Sequence, residues 1–127
     1  MDFLQLPIVK AYLDMLKNYI KFSERTSRPD YWWAFLANVV IMAVFGLLSL
    51  VLGTISSLLM FLYSVAIIVP STALAVRRLH DIGKSGWCVL IGLIPVVGWI
   101  ILLIWFAKDG DPGDNMYGSD PNSLYGY

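Results

Sequence analysis

The residues best suited to chemistry are concentrated in one segment of the chain. It runs from Arg77 to Trp87 and contains two adjacent arginines, a His-Asp pair, a lysine and two glycines. Guanidinium groups bind phosphate through paired hydrogen bonds, and glycines let the backbone approach an anion closely. We therefore predict a site for a lipid headgroup or a partner protein. Its residues are Arg77, Arg78, His80, Asp81, Lys84 and Trp87, together with Arg25 and Arg28.

The alternative for this segment is purely structural. In that case its cations only orient the protein in the membrane, and Asp81 pairs with one of the arginines. Arg25 and Arg28 are expected at the same depth, so that all the arginines form one basic ring with Asp81 among its counter-charges. Catalytic residues are not predicted, because the adjacent His80 and Asp81 do not generally face each other and no nucleophile is evident.

Metal and cofactor chemistry is not predicted either. His80 is the only histidine and Cys88 the only cysteine, so neither a disulfide within the chain nor a thiolate cluster can form. Counted from Asp109, the sixth position of a calcium-binding EF-hand would be Asp114 instead of glycine. Lys+Arg and Asp+Glu both number 9, and this balance gives no basic bias toward nucleic acid.

The elements that must position these residues are expected to be membrane-spanning helices. Hydrophobic residues make up 58% of the chain and charged residues 14%, against about 45–50% and about 25% in ordinary soluble domains. Residues 31–76 and 85–107 contain no Asp, Glu, Lys, Arg or His. Since one span needs roughly 20 apolar residues, the longer run predicts two spans with a turn at 53–57. The predicted transmembrane helices are 32–52, 58–76 and 86–107.

The predicted fold is all-α, a single polytopic membrane domain over residues 1–127 with three transmembrane helices. An N-terminal amphipathic helix is expected at 7–22, and a polar tail at 108–127. One stripe of the amphipathic helix carries Lys10, Asp14, Lys17 and Lys21. We expect this helix to lie in the membrane interface, with packing on its own bundle as the alternative.

The orientation in the membrane is predicted from lysine and arginine alone. The segment before the first span carries five, the first turn none, the loop between the second and third spans three, and the tail one. With three spans, the first and third of these segments share a side, and the positive-inside rule places that side in the cytoplasm. The N-terminus is therefore expected in the cytoplasm and the C-terminal tail outside.

Four groups of motifs extend over most of the chain, from about residue 18 to residue 121. They are Phe22–Arg28 with Tyr31–Trp33, Arg77–Asp81 with Ser85–Trp87, Ile94–Trp99, and Gly110–Asn115 with Tyr117–Pro121. Together these motifs resemble the domain of unknown function 805 family of bacterial inner-membrane proteins. The resemblance implies location and architecture, and it brings no established biochemical activity with it.

The function expected from the sequence is that of a non-enzymatic protein of the bacterial inner (plasma) membrane. Its Arg77–Trp87 loop is expected to bind lipid headgroups, anionic ones included, or a partner protein at the cytoplasmic face. The alternative is a small channel or transporter formed by homo-oligomerisation, with Asn38, Ser49, Ser64 or Thr72 lining a pore. The absence of charge from the predicted spans argues against a transporter. A lipid-acting enzyme using His80 and Asp81 is a third hypothesis.

Overall fold

The computed structural model describes residues 2–121, and its regular elements over this range are helices, as expected for the all-α class. Residues 122–127 of the predicted polar tail lie outside the described residues. The α-helices are α1 (Pro7–Lys17), α2 (Arg28–Leu52), α3 (Thr54–Ala66), α4 (Ile68–Asp81) and α5 (Val97–Ala107). Two 3₁₀ helices, Phe3–Gln5 and Gly86–Leu93, complete the elements described.

Among the described helices, α2 is the one that is long and apolar enough to cross a membrane by itself. Its 25 residues correspond to about 37 Å. The Ser27 side chain accepts a hydrogen bond from the Asp30 N–H, and Pro29 occupies the first turn, where its missing N–H costs nothing. The helix ends at Gly53, whose φ of 57° suits glycine. The chain thus turns at the first residue of the predicted turn 53–57, and residues 54–57 already belong to α3.

The second predicted span, 58–76, is divided between two helices in the structure. α3 and α4 are bent by 42° at Ile67, and only when they are taken together do they pass as a second membrane-crossing unit. Pro70 lacks the N–H that would bond to the carbonyl of Ala66 four residues earlier, which accounts for a break at this point.

Residues 86–107, expected to form one transmembrane helix, form a hairpin of two short arms, called here the 86–107 hairpin. The 3₁₀ helix Gly86–Leu93 and α5 pack against each other, and the Trp99 indole N–H donates to the Gly92 carbonyl at 2.9 Å. Between the arms, Val96 forms a γ-turn with φ 63° and ψ −65°, closed by a hydrogen bond from Val97 N–H to the Pro95 carbonyl. The chain therefore reverses direction within this apolar segment.

The buried core lies toward one end of the molecule. It joins α1, α2, α4 and α5 and contains Ala11, Met15, Tyr31, Ala34, Ile67, Leu74, Leu79, Leu102 and Phe106. α1 is shorter than the predicted 7–22 and packs its Ala11–Met15 face onto the other helices, while an interfacial position for its remaining surface stays a prediction. Away from this core, large apolar side chains are exposed, and Leu50 is 82% exposed near the end of α2.

The two arms of the hairpin come into close contact where Gly98 lies against the backbone of Ile91. A Cβ at Gly98 would collide with the carbonyl oxygen of Ile91 on the other arm, whereas a Cβ at Gly46 in α2 would meet nothing within 4 Å. We expect Gly98→Ala to destabilise the protein by about 1–3 kcal/mol through overpacking. Gly46→Ala should be neutral or stabilising by up to about 1 kcal/mol.

Thermal unfolding in detergent micelles, followed by circular dichroism, measures both effects. A Gly98→Ala melting temperature equal to that of the wild type would contradict the observed packing of the two arms.

Candidate functional site

The last turn of α4 brings most of the predicted site residues together. Arg77, Arg78, His80 and Asp81 occupy nearly consecutive positions on all sides of this turn, yet all four are buried. This burial is achieved because the linker before α2 and the chain after α5 cover the end of α4, through contacts from Arg25 and Asp111 among others. The site is thus an assembly of three segments distant in sequence.

At its centre lies a buried ion-pair cluster of Arg25, Arg78 and Asp81, called here the Asp81 cluster. Asp81 Oδ1 accepts from Arg25 Nε at 3.0 Å, and Oδ2 accepts from Arg78 Nη1 at 2.7 Å. The three side chains are 0–1% exposed. A charge buried this completely is tolerated only with close partners, and the two guanidiniums supply them for the carboxylate.

Backbone carbonyls satisfy the remaining donors of the two arginines. Arg25 donates to the carbonyls of Gly113 at 2.7 Å and Asp111 at 2.8 Å, and Arg78 donates to those of Phe106 at 3.1 Å and Lys108. The cluster carries one more positive than negative charge, and these carbonyl dipoles offset the excess. Both guanidiniums therefore fasten the end of α5 and the following chain to α4.

Arg77 and His80 extend the assembly toward the N-terminal linker. Arg77 donates from Nη1 to the carbonyls of Asn18 at 2.9 Å and Lys21 at 2.7 Å, which fixes the chain between α1 and α2. The His80 ring stacks on Tyr117 with centroids 3.9 Å apart, and its Nδ1 lies 3.0 Å from the Glu24 carbonyl. A carbonyl oxygen can only accept, so Nδ1 is the donor of this hydrogen bond.

The other three predicted site residues lie outside the Asp81 cluster. Arg28 is partly exposed and pairs with Asp109 at 2.8 Å instead of with Asp81. Lys84 Nζ lies 4.6 Å from the ring centroid of Trp105, a cation–π distance. Trp87 is 80% exposed at the base of the 86–107 hairpin. The expected ring around Asp81 thus exists for Arg25 and Arg78, with Arg28 at its edge.

The expectation that the tail and the N-terminal segment lie on opposite sides is wrong. Arg25, in the linker after α1, donates to carbonyls at Asp111, Gly113 and Gly118, and Asn115 Nδ2 donates to the His80 carbonyl at 2.9 Å. The tail reaches this place because the hairpin returns to the end where it started. As a result, the segments that carry all 9 Lys and Arg residues meet at one end of the molecule, called here the charged end.

Sequence reasoning missed the tail as a partner of the arginines. Its acceptors are main-chain carbonyls, which no residue type reveals. The one available signal is the glycine content of the segment, since a Cβ at Gly110 would collide with the Asp81 carboxylate. The position therefore requires glycine for close approach, and this could have linked residues 110–118 to the buried aspartate.

A polar cleft of about 260 Å³ lies beside the Asp81 cluster, between α1 and the linker. The charged residues in its lining are Asp14, Glu24, Asp30, Arg25 and Arg77. The volume is just below the roughly 300–1,000 Å³ typical of pockets for drug-sized ligands. Its size and mixed charge suit a small polar group.

Comparison with known proteins identifies relatives of the same size. The model of the family "Protein of unknown function (DUF805)" matches residues 19–119. The inner membrane protein YhaI of Escherichia coli K12 is 43% identical over 110 residues, covering 87% of this chain and 93% of that protein. The inner membrane protein YhaH of the same organism is 39% identical over 114 residues, covering 87% and 94%. No solved structure matches the chain.

Removal of the carboxylate charge from the Asp81 cluster is expected to lower the stability of the protein strongly. Asp81→Asn leaves two buried guanidiniums without a counter-charge, and we expect a loss of about 3–5 kcal/mol in the free energy of unfolding. Asp109→Asn breaks only the partly exposed pair with Arg28 and should cost about 0–1 kcal/mol. Equilibrium unfolding in mixed micelles with increasing denaturant compares the two variants. Equal stability of both would argue against a cluster that holds the charged end together.

Proposed function

The chain belongs to the DUF805 family, and on that premise we propose a multi-pass, non-enzymatic protein of the bacterial inner membrane whose charged end binds anionic lipid headgroups at the cytoplasmic face. The proposal has two parts. The first is the orientation of the helices, and the second is the contact that the charged end makes with lipid.

One observation carries the orientation: the segments bearing all 9 Lys and Arg meet at one end, while the turn at Gly53 carries none. The positive-inside rule assigns such an end to the cytoplasm. From there, α2 crosses the membrane, and α3 with α4 returns as one bent span. Residues 2–30 and 108–121 then share the cytoplasmic side, which agrees with the hydrogen bonds between Arg25 and the tail.

In this proposal the lipid headgroups are bound by exposed lysine and arginine side chains. The donors of the buried Arg25 and Arg78 are directed at protein acceptors, so these residues act as a scaffold. Around them, Lys17, Lys108 and the partly exposed Arg28 lie on the surface of the charged end. A lysine or arginine near an anionic membrane surface contributes about 1 kcal/mol of attraction.

Two exposed tryptophans support a position of the charged end at the level of the lipid headgroups. Trp33 and Trp87 are both exposed close to it, one in the first turns of α2 and the other at the base of the hairpin. Tryptophan is enriched at membrane–water interfaces, where its ring sits at headgroup level.

Pore formation by oligomers stays a prediction with less support. Two of the four side chains suggested for a pore, Asn38 and Ser64, bond inside the subunit. Tyr63 donates to Asn38 Oδ1 at 2.6 Å, and Ser64 donates to the Met60 carbonyl at 2.8 Å. A side chain that is already bonded within its own helical bundle is poorly placed to line a shared channel.

The test is lipid retention measured by native mass spectrometry of the protein released from nanodiscs of phosphatidylglycerol and phosphatidylcholine. The triple variant Lys10→Gln/Lys17→Gln/Lys21→Gln removes three exposed lysine charges at the charged end, two of them on α1 and one in the linker that follows it. At about 1 kcal/mol for each charge, we expect phosphatidylglycerol affinity to fall on the order of 100-fold.

The matched control is the triple lysine-to-arginine variant at the same positions, which keeps the charge and should retain the lipid. Unchanged phosphatidylglycerol retention in the glutamine variant would overturn the headgroup proposal. A loss in both variants would show that the lysine side chains act through packing instead of through charge.

A further inference from the structure

We propose that the 86–107 hairpin is a re-entrant membrane insertion that enters and leaves the lipid leaflet on the side of the charged end, with the acyl chains of that leaflet covering its surface. The inference rests on the proposed function for the identity of that side as cytoplasmic. The hairpin shape itself rests on the structure alone.

The two ends of the hairpin are fastened at the same place. Before it begins, the Asp81 carbonyl accepts from the Asp111 N–H at 2.6 Å, and Lys84 lies over the ring of Trp105. Arg78 donates to the Phe106 carbonyl at 3.1 Å, at the end of α5. The chain thus leaves α4 and comes back to α4, which a single crossing of the membrane cannot do.

The arms are too short to reach the opposite surface. The 3₁₀ helix has 8 residues, about 16 Å at 2.0 Å per residue, and α5 has 11 residues, about 16 Å at 1.5 Å per residue. The hydrocarbon core of a bilayer is about 30 Å thick. A hairpin starting at headgroup level therefore ends near the middle of the bilayer.

The exposed surface of the hairpin is apolar from base to tip. Residues 85–107 carry no charge, and Leu93 near the tip is 79% exposed. Val96, Trp99 and Ile104 are exposed as well. Contiguous apolar surface of this kind is typical of a membrane or partner contact. Trp87 at the base would lie at headgroup depth, where tryptophan is favoured.

Four hydrogen bonds made within the tip pair polar groups that lipid could not pair. Ile94 N–H donates to the Ile91 carbonyl at 3.0 Å, and Gly98 N–H donates to the Ile94 carbonyl at 3.0 Å. The γ-turn at Val96 uses the Pro95 carbonyl, and the Trp99 indole uses the carbonyl of Gly92. Non-helical backbone at membrane depth is costly unless its hydrogen bonds are made within the protein. These bonds favour lipid over water as the surroundings of the tip.

Single-cysteine labelling tests the topology directly, because Cys88 is the only cysteine and Cys88→Ala gives a clean background. Four exposed positions are then replaced one at a time: Ser23→Cys, Thr54→Cys, Leu93→Cys and Lys108→Cys. A membrane-impermeant maleimide is applied to intact spheroplasts and, separately, to permeabilised ones. We expect Thr54→Cys to react in intact spheroplasts, Ser23→Cys and Lys108→Cys only after permeabilisation, and Leu93→Cys in neither.

The outcomes separate this inference from the proposed function. Reaction of Lys108→Cys but not Ser23→Cys in intact spheroplasts would mean that residues 86–107 cross the membrane, and it would overturn the hairpin insertion. Reaction of both, with Thr54→Cys protected, would overturn the proposed orientation while supporting the re-entrant path. Reaction of Leu93→Cys in either preparation would place the tip in water and overturn the insertion.

A spin label measures the depth of the hairpin in lipid. Labels at Leu93→Cys and Trp87→Cys are compared in vesicles for collision with oxygen, which concentrates in hydrocarbon, and with a water-soluble nickel chelate. We expect the Leu93 label to show the higher ratio of oxygen to nickel collisions. Equal ratios at the two positions would overturn the insertion, because they would mean that the hairpin lies flat on the surface.

Discussion

A carboxylate without access to water holds three distant parts of this chain together. Asp81 ends α4, and its two oxygens accept from Arg25 and Arg78, which in turn bind carbonyls in the last turn of α5 and in the chain that follows it. Each group is tolerable in the interior only while the others are present, because an unpaired buried charge costs several kcal/mol. The position of the N-terminal linker and the return of the tail both follow from this mutual dependence.

Burial gives the arginines of the Asp81 cluster a different role from the exposed lysines, although the sequence suggests one basic surface made by both. The buried arginines, which the sequence suggested for phosphate binding, make their hydrogen bonds within the protein, whereas lysines remain exposed at the surface of the charged end. Arginine suits the interior role because its planar guanidinium makes several directed hydrogen bonds at once. Lysine, as a hydrated point charge on a flexible stem, suits contact with headgroups.

The sequence was sufficient for the all-helical class, for α2 and for the turn at Gly53, because charge-free length and a glycine determine these features locally. The predicted depth of the two segments in the membrane was also sufficient to place Arg25 near Asp81. It failed at residues 86–107, since hydropathy counts apolar residues without indicating the direction of the chain. The pattern Gly92-x-x-Pro95-x-x-Gly98 marks a break, but the reversal depends on how closely Gly98 fits against Ile91. The acceptors in the tail are main-chain carbonyls, which every residue carries, so residue types could not predict them.

Arg25 binds carbonyls that lie 86 to 93 residues further along the chain. Contacts between such distant residues form late in folding, because the entropy of closing a long loop must be overcome before the contact stabilises anything. The helices between these segments can form earlier, since their hydrogen bonds are local. The charged end is therefore expected to close last, and until then the Arg25 guanidinium stays hydrated.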